Sequence, residues 1–421
     1  MTPDVVEKYE RILPSADYIR REEMVPRLPH QGYTRELIDR RRGWLEGRTG
    51  VAMPHVGAYS AGDDEMRGNV ENPVGAAQVP LGVAGPLEVD GEHARGTFYV
   101  PLATTEGALV RSYERGMAAL TRAGGATVRL TRDENRMCPA FLFDDVAAAH
   151  RFAEELPRFF EEARAAAEAT TRHGRLLRLE PLLTGRQVLV TFAFSTGDAH
   201  GMNMIARATD RACRRLMELS GARRYLLFSG AEAEKKAAGT LLAGGKGKQA
   251  TAGALVPRRV VRSVLQTTPE EMATLWQQTV VGHLAAGSLG YNGHAANGLT
   301  ALFIACGQDV ANVVNSDVAL TQLEATEGGD LYASVHLPSL VVASVGGGTG
   351  QGTARECLQS LGCLGDGGAA KLAEIAAATV LAGELSMGAA IVSGQFVDAH
   401  EAYGRNRPGG GEATEGEGGE P

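Results

Sequence analysis

Residues 291–309 read YNGHAANGLTALFIACGQD. The segment begins with polar residues and glycines, and from Ala295 onward almost every residue is small or apolar, which predicts a buried helix. His294, Asn297 and Asp309 interrupt the apolar pattern. Polar groups cost free energy in an apolar environment unless they have partners. The segment therefore predicts a core helix that carries a polar site.

Asp309 needs a partner if it is buried. Desolvation raises the pKa of a carboxyl group in an apolar site, and a nearby cation lowers it. The best candidates for that cation are Lys235 and Lys236, which lie in the sequence SGAEAEKKAA of residues 229–238. We expect one of these two lysines to lie beside Asp309.

Composition indicates a globular protein of two or three domains. The chain has 421 residues, of which 44% are hydrophobic and 22% charged, as is ordinary for a soluble protein. The 54 glycines exceed average usage and indicate tight turns and close backbone approaches, as around a ligand. The net charge of −8 argues against nucleic acid or an anionic membrane as a partner. An anionic substrate would need a local cationic pocket.

Cysteine usage and the N-terminus predict a cytoplasmic protein. The five cysteines are scattered and contain no C-x-x-C pair, which fits a reducing compartment better than a disulfide framework. We find no apolar run long enough to span a bilayer. The N-terminal sequence MTPDVVEKYE lacks the basic start and apolar centre of a signal peptide.

The pattern of elements predicts an α+β fold with an inserted small domain. The expected parts are an N-terminal helical arm (1–50), a large helix-rich domain (51–127 and 229–405), a small domain (128–228) and a tail (406–421). The small domain follows the order β-α-β-β-α-β of a ferredoxin-like sandwich, with one long helix over residues 144–169. The tail is acidic and glycine-rich, which predicts disorder.

Glu106 lies where a loop leads into a helix, in the sequence PLATTEGALVRSYERGMAAL of residues 101–120. Thr104 or Thr105 is expected to cap this helix, which would place Glu106 in its first turn near the positive end of the helix dipole. Glu106 then either supports the cap or is a carboxyl group placed to exchange a proton.

Two glycine-rich turns are candidate ligand contacts. Residues 198–204 (DAHGMNM) join a predicted strand to a predicted helix, and form either a plain turn or a helix N-terminus that receives a phosphate or pyrophosphate. Residues 337–352 (LPSLVVASVGGGTGQG) predict an apolar strand that ends in a glycine turn, without the G-x-G-x-x-G spacing. By itself, His400 near a helix end is usually structural.

Seven motifs occur together in an order typical of one family. They are ENPVG…PLGVAGPL, TTEGALV, DAHGMNM, EKKAA, NGHAAN…ACGQD, LPSL…VGGGT and LAGELS, and they cover roughly residues 60–405. Each motif is weak alone. In this order they resemble the 3-hydroxy-3-methylglutaryl-CoA (HMG-CoA) reductases of the class I type.

The resemblance implies an NADPH-dependent, four-electron reduction of HMG-CoA to mevalonate and CoA, through a hemithioacetal and an aldehyde. The site of such a reductase lies between two subunits of a homodimer or dimer of dimers. Lys235 would stabilise the oxyanion made by hydride addition, and Asp309 would tune that lysine. Glu106 would donate a proton in the aldehyde step, and His400 would protonate the departing CoA thiolate.

The resemblance also implies binding residues. For NADPH they are Asp198, Gly201, Met202, Asn203, Met204, Gly346, Gly347, Gly348 and Arg405. For the acyl-CoA substrate they are Arg115, Arg129, Ser229, Glu234, Lys236, Gln278 and Asn297.

The substrate pocket departs from the family pattern at several positions. Glu234 stands where the family has aspartate, Ala231 where it has asparagine, and Gln278 where it has lysine. Loss of one charge-assisted contact to a carboxylate costs about 1.5–3 kcal/mol. Two alternatives follow: reduction of a different acyl-thioester in specialised metabolism, or a non-catalytic homologue with a binding role. Retention of the four catalytic residues argues against the second.

Overall fold

The computed structural model describes residues 25–26 and 32–395. His400, Arg405, the predicted tail and the greater part of the N-terminal arm lie outside these residues. The described residues belong to two compact units, one that ends at Val79 and one that starts at Pro80.

The first unit contains helix α1 (Arg35–Thr49) and the one-turn helix α2 (Pro54–Gly57). The arginine run at residues 40–42 predicts a solvated helix end, and this is wrong for Arg41. Its side chain is buried, and its guanidinium donates hydrogen bonds to the carbonyl oxygens of Pro26 (3.1 Å) and Gly32 (2.5 Å). Arg41 is thus an internal tie within this unit.

The second unit is built on strands that join into one ten-stranded sheet. They are, in chain order, β1 (Leu81–Asp90), β2 (Arg95–Ala103), β3 (Ala126–Met137), β4 (Ala140–Leu142), β5 (Arg175–Thr184), β6 (Gln187–Ser195), β7 (Arg224–Leu226), β8 (Gly247–Val256), β9 (Leu320–Ala325) and β10 (Leu331–Leu340). Their order is β7-β4-β6-β3-β8-β10-β9, with β1 beside β2 and β3, and β5 beside β6.

Strand β3 links the two halves of this sheet. Residues 127–134 pair with β8, and residues 135–137 pair with β6, both antiparallel. β4 pairs with β6 and β7, and β5 pairs with β6, again antiparallel. One continuous strand therefore runs from one half of the sheet into the other.

Among the described residues of the second unit, ten helices pack around the sheet. They are α3 (Leu109–Arg122), α4 (Val146–Glu155), α5 (Phe160–Glu168), α6 (Met202–Ser220), α7 (Arg258–Val260), α8 (Pro269–Ala286), α9 (Ala295–Ala305), α10 (Val313–Ser316), α11 (Gly352–Ser360) and α12 (Gly368–Val392), with short 3-10 turns between some of them. The prediction of a mixed fold of helices and sheet is confirmed.

Two helix predictions need correction. The single helix expected over residues 144–169 is interrupted by the 3-10 turn Leu156–Phe159, where Pro157 lacks the N–H that a continuous helix needs. The expected threonine cap before α3 is absent, because α3 begins at Leu109 after Ala108, which has a φ of 69°. Thr104 instead accepts a hydrogen bond (3.0 Å) from the backbone N–H of Glu106, so Glu106 lies in the loop before the helix.

The apolar side chains of this unit form two separate main cores. One lies under β1, β2, β8 and β10, against α3, α9 and α12. The other is drawn entirely from residues between Met137 and Ala222 and packs α4, α5 and α6 on their strands. The sheet is continuous, but the apolar interior is not.

Helix α12 is the central element of the first core. It has 25 residues and is apolar and long enough to cross a membrane, so the expectation that no run has this length is wrong. Within the protein, 83% of its most apolar window is buried, as is typical of a core helix. Helix α3 packs closely on it, since a Cβ atom at Gly116 would overlap the carbonyl oxygen of Ala382.

Glu374 of α12 is completely buried and holds the turn between β1 and β2. Its carboxylate accepts hydrogen bonds from the backbone N–H groups of Glu92 (3.1 Å), His93 (2.8 Å) and Ala94 (2.6 Å). These three hydrogen bonds compensate the buried carboxylate for the loss of its hydration.

We expect Glu374→Ala to lower the free energy of unfolding by about 3 kcal/mol, because three buried N–H groups lose their acceptor. Urea denaturation measures this change. The matched control is Glu356→Ala, an exposed glutamate on α11, for which we expect a change under about 0.5 kcal/mol. Equal effects of the two substitutions would contradict this role of Glu374.

Candidate active site

The loop between Ser229 and the 3-10 turn Gly239–Ala243 has a strained backbone. Ala233 and Lys235 have φ angles of 54° and 53°, a region that non-glycine residues rarely adopt. Asn315, which is fully buried, holds this conformation. Its Oδ1 accepts from the N–H of Lys235 (2.9 Å), and its Nδ2 donates to the carbonyl oxygens of Ala233 (2.9 Å) and Lys236 (3.0 Å).

This loop presents Lys235 to Asp309. Lys235 Nζ lies 2.6 Å from Asp309 Oδ2, so Lys235 and not Lys236 is the cation beside this carboxylate. Asp309 also accepts a hydrogen bond (3.1 Å) from the N–H of Ala311. Helix α9 ends at Ala305, and the side chains of Lys235 and Asp309 are 41% and 42% exposed. Asp309 is therefore only partly buried, and the pair is open to a ligand.

A second pair lies at the other end of α9. Asn297, in the first turn, donates a hydrogen bond from Nδ2 to Glu106 Oε2 (2.8 Å), and Glu106 is exposed. The entry of α9 is fixed by Glu384, whose carboxylate accepts from the N–H groups of Gly293 (2.9 Å) and His294 (2.6 Å). Burial raises the pKa of Glu384, and these hydrogen bonds oppose the rise.

His294 is buried as the sequence predicts. Its ring stacks on Tyr113 with centroids 4.7 Å apart, and its carbonyl oxygen accepts from the Tyr113 hydroxyl (2.5 Å).

The candidate catalytic residues thus form two pairs in one chain. Asn297 and Ala305 are separated by about 12 Å of helix at 1.5 Å per residue, and Asp309 follows beyond that end. The described residues bring Lys235 to Asp309 and Glu106 to Asn297, but the two pairs lie toward opposite ends of α9.

The two glycine-rich segments predicted to bind a cofactor meet each other. Ala199 and Val345 form a parallel bridge, and the carbonyl oxygen of Asp198 accepts from the N–H of Ser344 (2.9 Å). Gly348 packs on Gly307, since a Cβ atom at Gly348 would lie 2.7 Å from the Gly307 carbonyl oxygen. The glycine turn therefore lies beside the segment that leads to Asp309.

Glycine is required at several of these positions. Gly201, the residue before α6, has a φ of 76°, and a Cβ atom there would lie 2.7 Å from Thr196. Gly346 and Gly347 have φ angles of 86° and 57°, and the space beside them is open. Open space next to exposed backbone suits close approach of a ligand.

Other predicted cofactor residues have structural contacts. The Asp198 carboxylate accepts from the N–H groups of Gly367 and Ala369 (both 2.9 Å), so it caps the N-terminus of α12. Met204 accepts a hydrogen bond from Thr171 at 2.9 Å, and Met202 lies 3.4 Å from Lys246 Nζ. Asn203 is exposed on the first turn of α6.

The predicted substrate residues are dispersed. Arg115 is half-buried and donates to Ser386 Oγ (3.0 Å) and to its carbonyl oxygen (2.5 Å), and burial lowers the pKa of its guanidinium. Lys236 is exposed on the strained loop, and Gln278 is exposed on α8.

Comparison with known proteins decides the family. The family model for hydroxymethylglutaryl-coenzyme A reductase matches residues 37–405. The chain is 44% identical over 373 residues to the 3-hydroxy-3-methylglutaryl-coenzyme A reductase of Methanothermobacter thermautotrophicus, covering 88% of this chain and 94% of that protein. The chain belongs to the HMG-CoA reductase family. It is also 45% identical over 374 residues to the reductase of Aeropyrum pernix, covering 87% and 89% of the two chains.

The fold agrees with HMG-CoA reductase. The class II 3-hydroxy-3-methylglutaryl-CoA reductase from Streptococcus pneumoniae, solved bound to NADPH in open conformations, superimposes with a TM-score of 0.65 at 21% identity. The match covers 84% of this chain and 97% of that one.

In the present chain, the arginine close to Ser229 is Arg136, whereas the family resemblance predicts Arg129. Ser229 Oγ donates to the carbonyl oxygen of Cys138 (2.5 Å), at the end of β3. Arg129 lies nine positions earlier, roughly 30 Å away at 3.3 Å per residue, and donates to the Asp90 carbonyl oxygen (2.9 Å). Arg136 is two residues from Cys138 and was missed by sequence reasoning.

Arg136 reaches residues in and next to the strained loop. Its Nη2 donates to Thr240 Oγ1 (2.7 Å) and its Nε to the carbonyl oxygen of Glu232 (3.4 Å). Burial lowers the pKa of its guanidinium. The sequence signal that could have found it is its position in NRMCP, just before the turn that Ser229 contacts.

The strained loop gives a direct test that needs no substrate. We expect Asn315→Ala to speed hydrogen exchange at the Lys235 amide at least tenfold, because the loop loses three hydrogen bonds. Mass spectrometry of the peptide covering residues 229–238 measures this rate.

The matched control is Asn312→Ala. Asn312 is equally buried and lies three residues away, but its side-chain atoms have no hydrogen-bond partner among the described residues. We expect exchange in the loop to stay within about threefold of the parent. Equal exchange rates in the loop for Asn312→Ala and Asn315→Ala would contradict the role of Asn315 in holding the loop.

Proposed function

We propose that this chain reduces HMG-CoA to mevalonate and CoA, with NADPH as the reductant. The observation that carries the proposal is the accessible Lys235–Asp309 ion pair, placed beside the glycine turn at Gly348 in a member of this family. A fixed cation in an accessible site is what hydride addition to a carbonyl needs, since that step creates an oxyanion.

When bound, NADPH supplies the two hydrides of the reaction. The residues proposed to hold it are those of the two glycine-rich segments, together with Arg405. The fit rests on the open backbone at Gly346 and Gly347 and on the first turn of the 19-residue helix α6, whose N–H groups suit a phosphate. Asp198 supports this site by its contacts rather than by touching the cofactor.

Lys235 acts in both steps. Its ammonium stabilises the oxyanion of the hemithioacetal and later that of the alkoxide, and Asp309 keeps the ammonium in place. Collapse of the hemithioacetal breaks the C–S bond and releases the CoA thiolate, which His400 protonates. Glu106 gives a proton to the aldehyde oxygen in the second step, so each turnover consumes two NADPH and two protons.

The spacing of the two pairs supports a site shared between subunits. A proton donor has to come within hydrogen-bond reach of the oxygen that Lys235 contacts. In one chain Glu106 lies about a helix length away, along α9. We therefore propose a homodimer, or a dimer of dimers, in which Glu106 of one subunit completes the site of Lys235 in the other.

The domain organisation expected from the sequence belongs to this proposal. Residues 128–228 would form the ferredoxin-like, NADP-binding small domain, inserted in a large domain of residues 51–127 and 229–405. Two observations support it: the strand order β7-β4-β6-β5, antiparallel throughout, and a separate apolar core between Met137 and Ala222. We place the protein in the cytoplasm.

For the acyl group, we propose Arg136, Ser229 and Lys236 as the anion-binding set, with Arg115 and Asn297 near the substrate. Within one chain, Arg136 fits this role better than the expected Arg129, which lies roughly 30 Å along β3 from the residue that Ser229 contacts. The absence of charge at Gln278 and the short Ala231 favour a second candidate substrate, an acyl-thioester that makes fewer contacts through a terminal carboxylate.

We expect the purified protein to oxidise two NADPH for each CoA released from HMG-CoA. Lys235→Ala should lower kcat at least about 100-fold, because the oxyanion loses its cation. The control, Lys236→Ala, should raise KM for the substrate while kcat changes little. NADPH absorbance and a thiol assay give both quantities. Turnover that survives Lys235→Ala would exclude this mechanism, and turnover gained only in Gln278→Lys would favour the second substrate.

Arg136 and Arg129 make a matched pair for the substrate pocket. We expect Arg136→Met to raise KM for HMG-CoA by about tenfold or more, as loss of a charge-assisted contact predicts. Arg129→Met, at an exposed site on the same strand, should leave KM within about twofold. The assignment of Arg136 is wrong if Arg129→Met has the larger effect.

A further inference from the structure

A charged cluster lies at the strained loop and includes one of its residues. It consists of Lys246, Glu234 and His200, and we call it the buried cluster. Lys246 is completely buried, and its ammonium pairs with Glu234 Oε2. The other oxygen of that carboxylate lies 3.8 Å from His200 Nε2. The Lys246 ammonium also touches the sulfur of Met202, 3.4 Å away.

The members of the buried cluster come from the two halves of the proposed site. Glu234 directly precedes Lys235 in the strained loop. His200 and Met202 belong to the segment proposed to bind NADPH, and Asn135 of β3 holds His200 by its carbonyl oxygen (2.9 Å). Lys246 immediately precedes β8 and so stands between the loop and that segment.

Within the chain, Glu234 contacts the buried cluster, whereas the family resemblance implies a contact with the substrate. Its side chain is 17% exposed, and both oxygens are directed to cluster partners. A carboxylate engaged by a fully buried ammonium is held firmly, because separating the pair would leave a charge unpaired in the interior.

We propose that His200 and Lys246 are positioning residues that, through Glu234, lock the Lys235 loop to the cofactor segment. Cofactor binding and the placement of the catalytic ammonium are then coupled through one ion pair. This inference rests on the roles given above to Lys235 and to residues 198–204.

The electrostatics of the buried cluster predict how the pKa of His200 changes when the Lys246 charge is removed. Burial lowers the pKa of His200; Glu234 and Asp309 oppose this, and Lys246 and Lys235 reinforce it. Burial also lowers the pKa of the Lys246 ammonium against the pull of Glu234, with Arg136 and Glu232 also facing it. Without the Lys246 charge, Glu234 attracts a proton to His200 more strongly, so the pKa of His200 rises.

The test compares Lys246→Met, Lys246→Arg and Lys248→Met. Lys248 is the matched control: it is also buried, two residues away, and pairs with Asp133 at 2.9 Å. We expect Lys246→Met to weaken NADPH binding at least about fivefold, by fluorescence titration, and to lower kcat about tenfold or more. Lys246→Arg should restore both to within about threefold, and Lys248→Met should change neither by more than about twofold.

The pH profile separates positioning from general damage. Lys246→Met should regain part of its kcat and NADPH affinity as the pH falls toward the usual histidine range, because a protonated His200 replaces the lost ammonium. Glu234→Gln should lose both properties without this recovery, and it serves as the test if Lys246→Met does not fold.

The proposal is overturned if Lys246→Met matches Lys248→Met in NADPH affinity, if arginine fails to restore it, or if Glu234→Gln binds NADPH as the parent does. Because NADPH affinity is measured without turnover, it tests the buried cluster even if Lys235→Ala shows that the proposed reaction is wrong.

Discussion

Buried carboxylates along α12 hold the parts of this protein in place. Glu374 gathers three N–H groups of the β1–β2 turn, and Glu384 fixes the entry of α9. Asp198 caps the N-terminus of the same helix, and Ser386 receives Arg115. Glu374 and Glu384 are stable inside the core because backbone donors replace their water. The helix is therefore both the centre of the apolar core and the reference to which the site elements are fixed.

The conformation of the strained loop depends on a balance of small free-energy contributions. Two left-handed residues in the lysine loop, Ala233 and Lys235, cost of order 1–3 kcal/mol each. The three hydrogen bonds of Asn315 return about 1 kcal/mol each, which is of similar size. Neither the backbone strain nor the hydrogen bonding dominates, so the strained conformation requires the packing around the loop as well as the hydrogen bonds of Asn315. The result places an ammonium group at the surface of the loop with its carboxylate partner already bound.

Sequence patterns predicted the elements better than the contacts between them. The apolar run after Ala295 predicts α9, because most faces of this helix are buried. The helix ends at Ala305, before Asp309. The sequence pattern alone left the choice between Lys235 and Lys236 open, since adjacent residues differ only in direction. The family resemblance implied Lys235, and the structure places Lys235 beside Asp309. Asn315 and Arg136 were missed because their partners are distant in sequence. Arg129, which the resemblance implies as a substrate contact, lies roughly 30 Å along β3 from Cys138, the residue that Ser229 contacts, so its role stays a prediction.

Strand β3 changes partners between Glu134, which pairs in register with β8, and Asn135, which pairs with β6. At this point the buried carboxylate of Glu134 forms a two-pronged contact with Arg178, at 2.5 and 2.7 Å. The half of the sheet that carries residues 198–204 is thus joined to the rest by an extended strand. Bending between the two halves of the sheet would therefore act on β3 beside the Glu134–Arg178 pair.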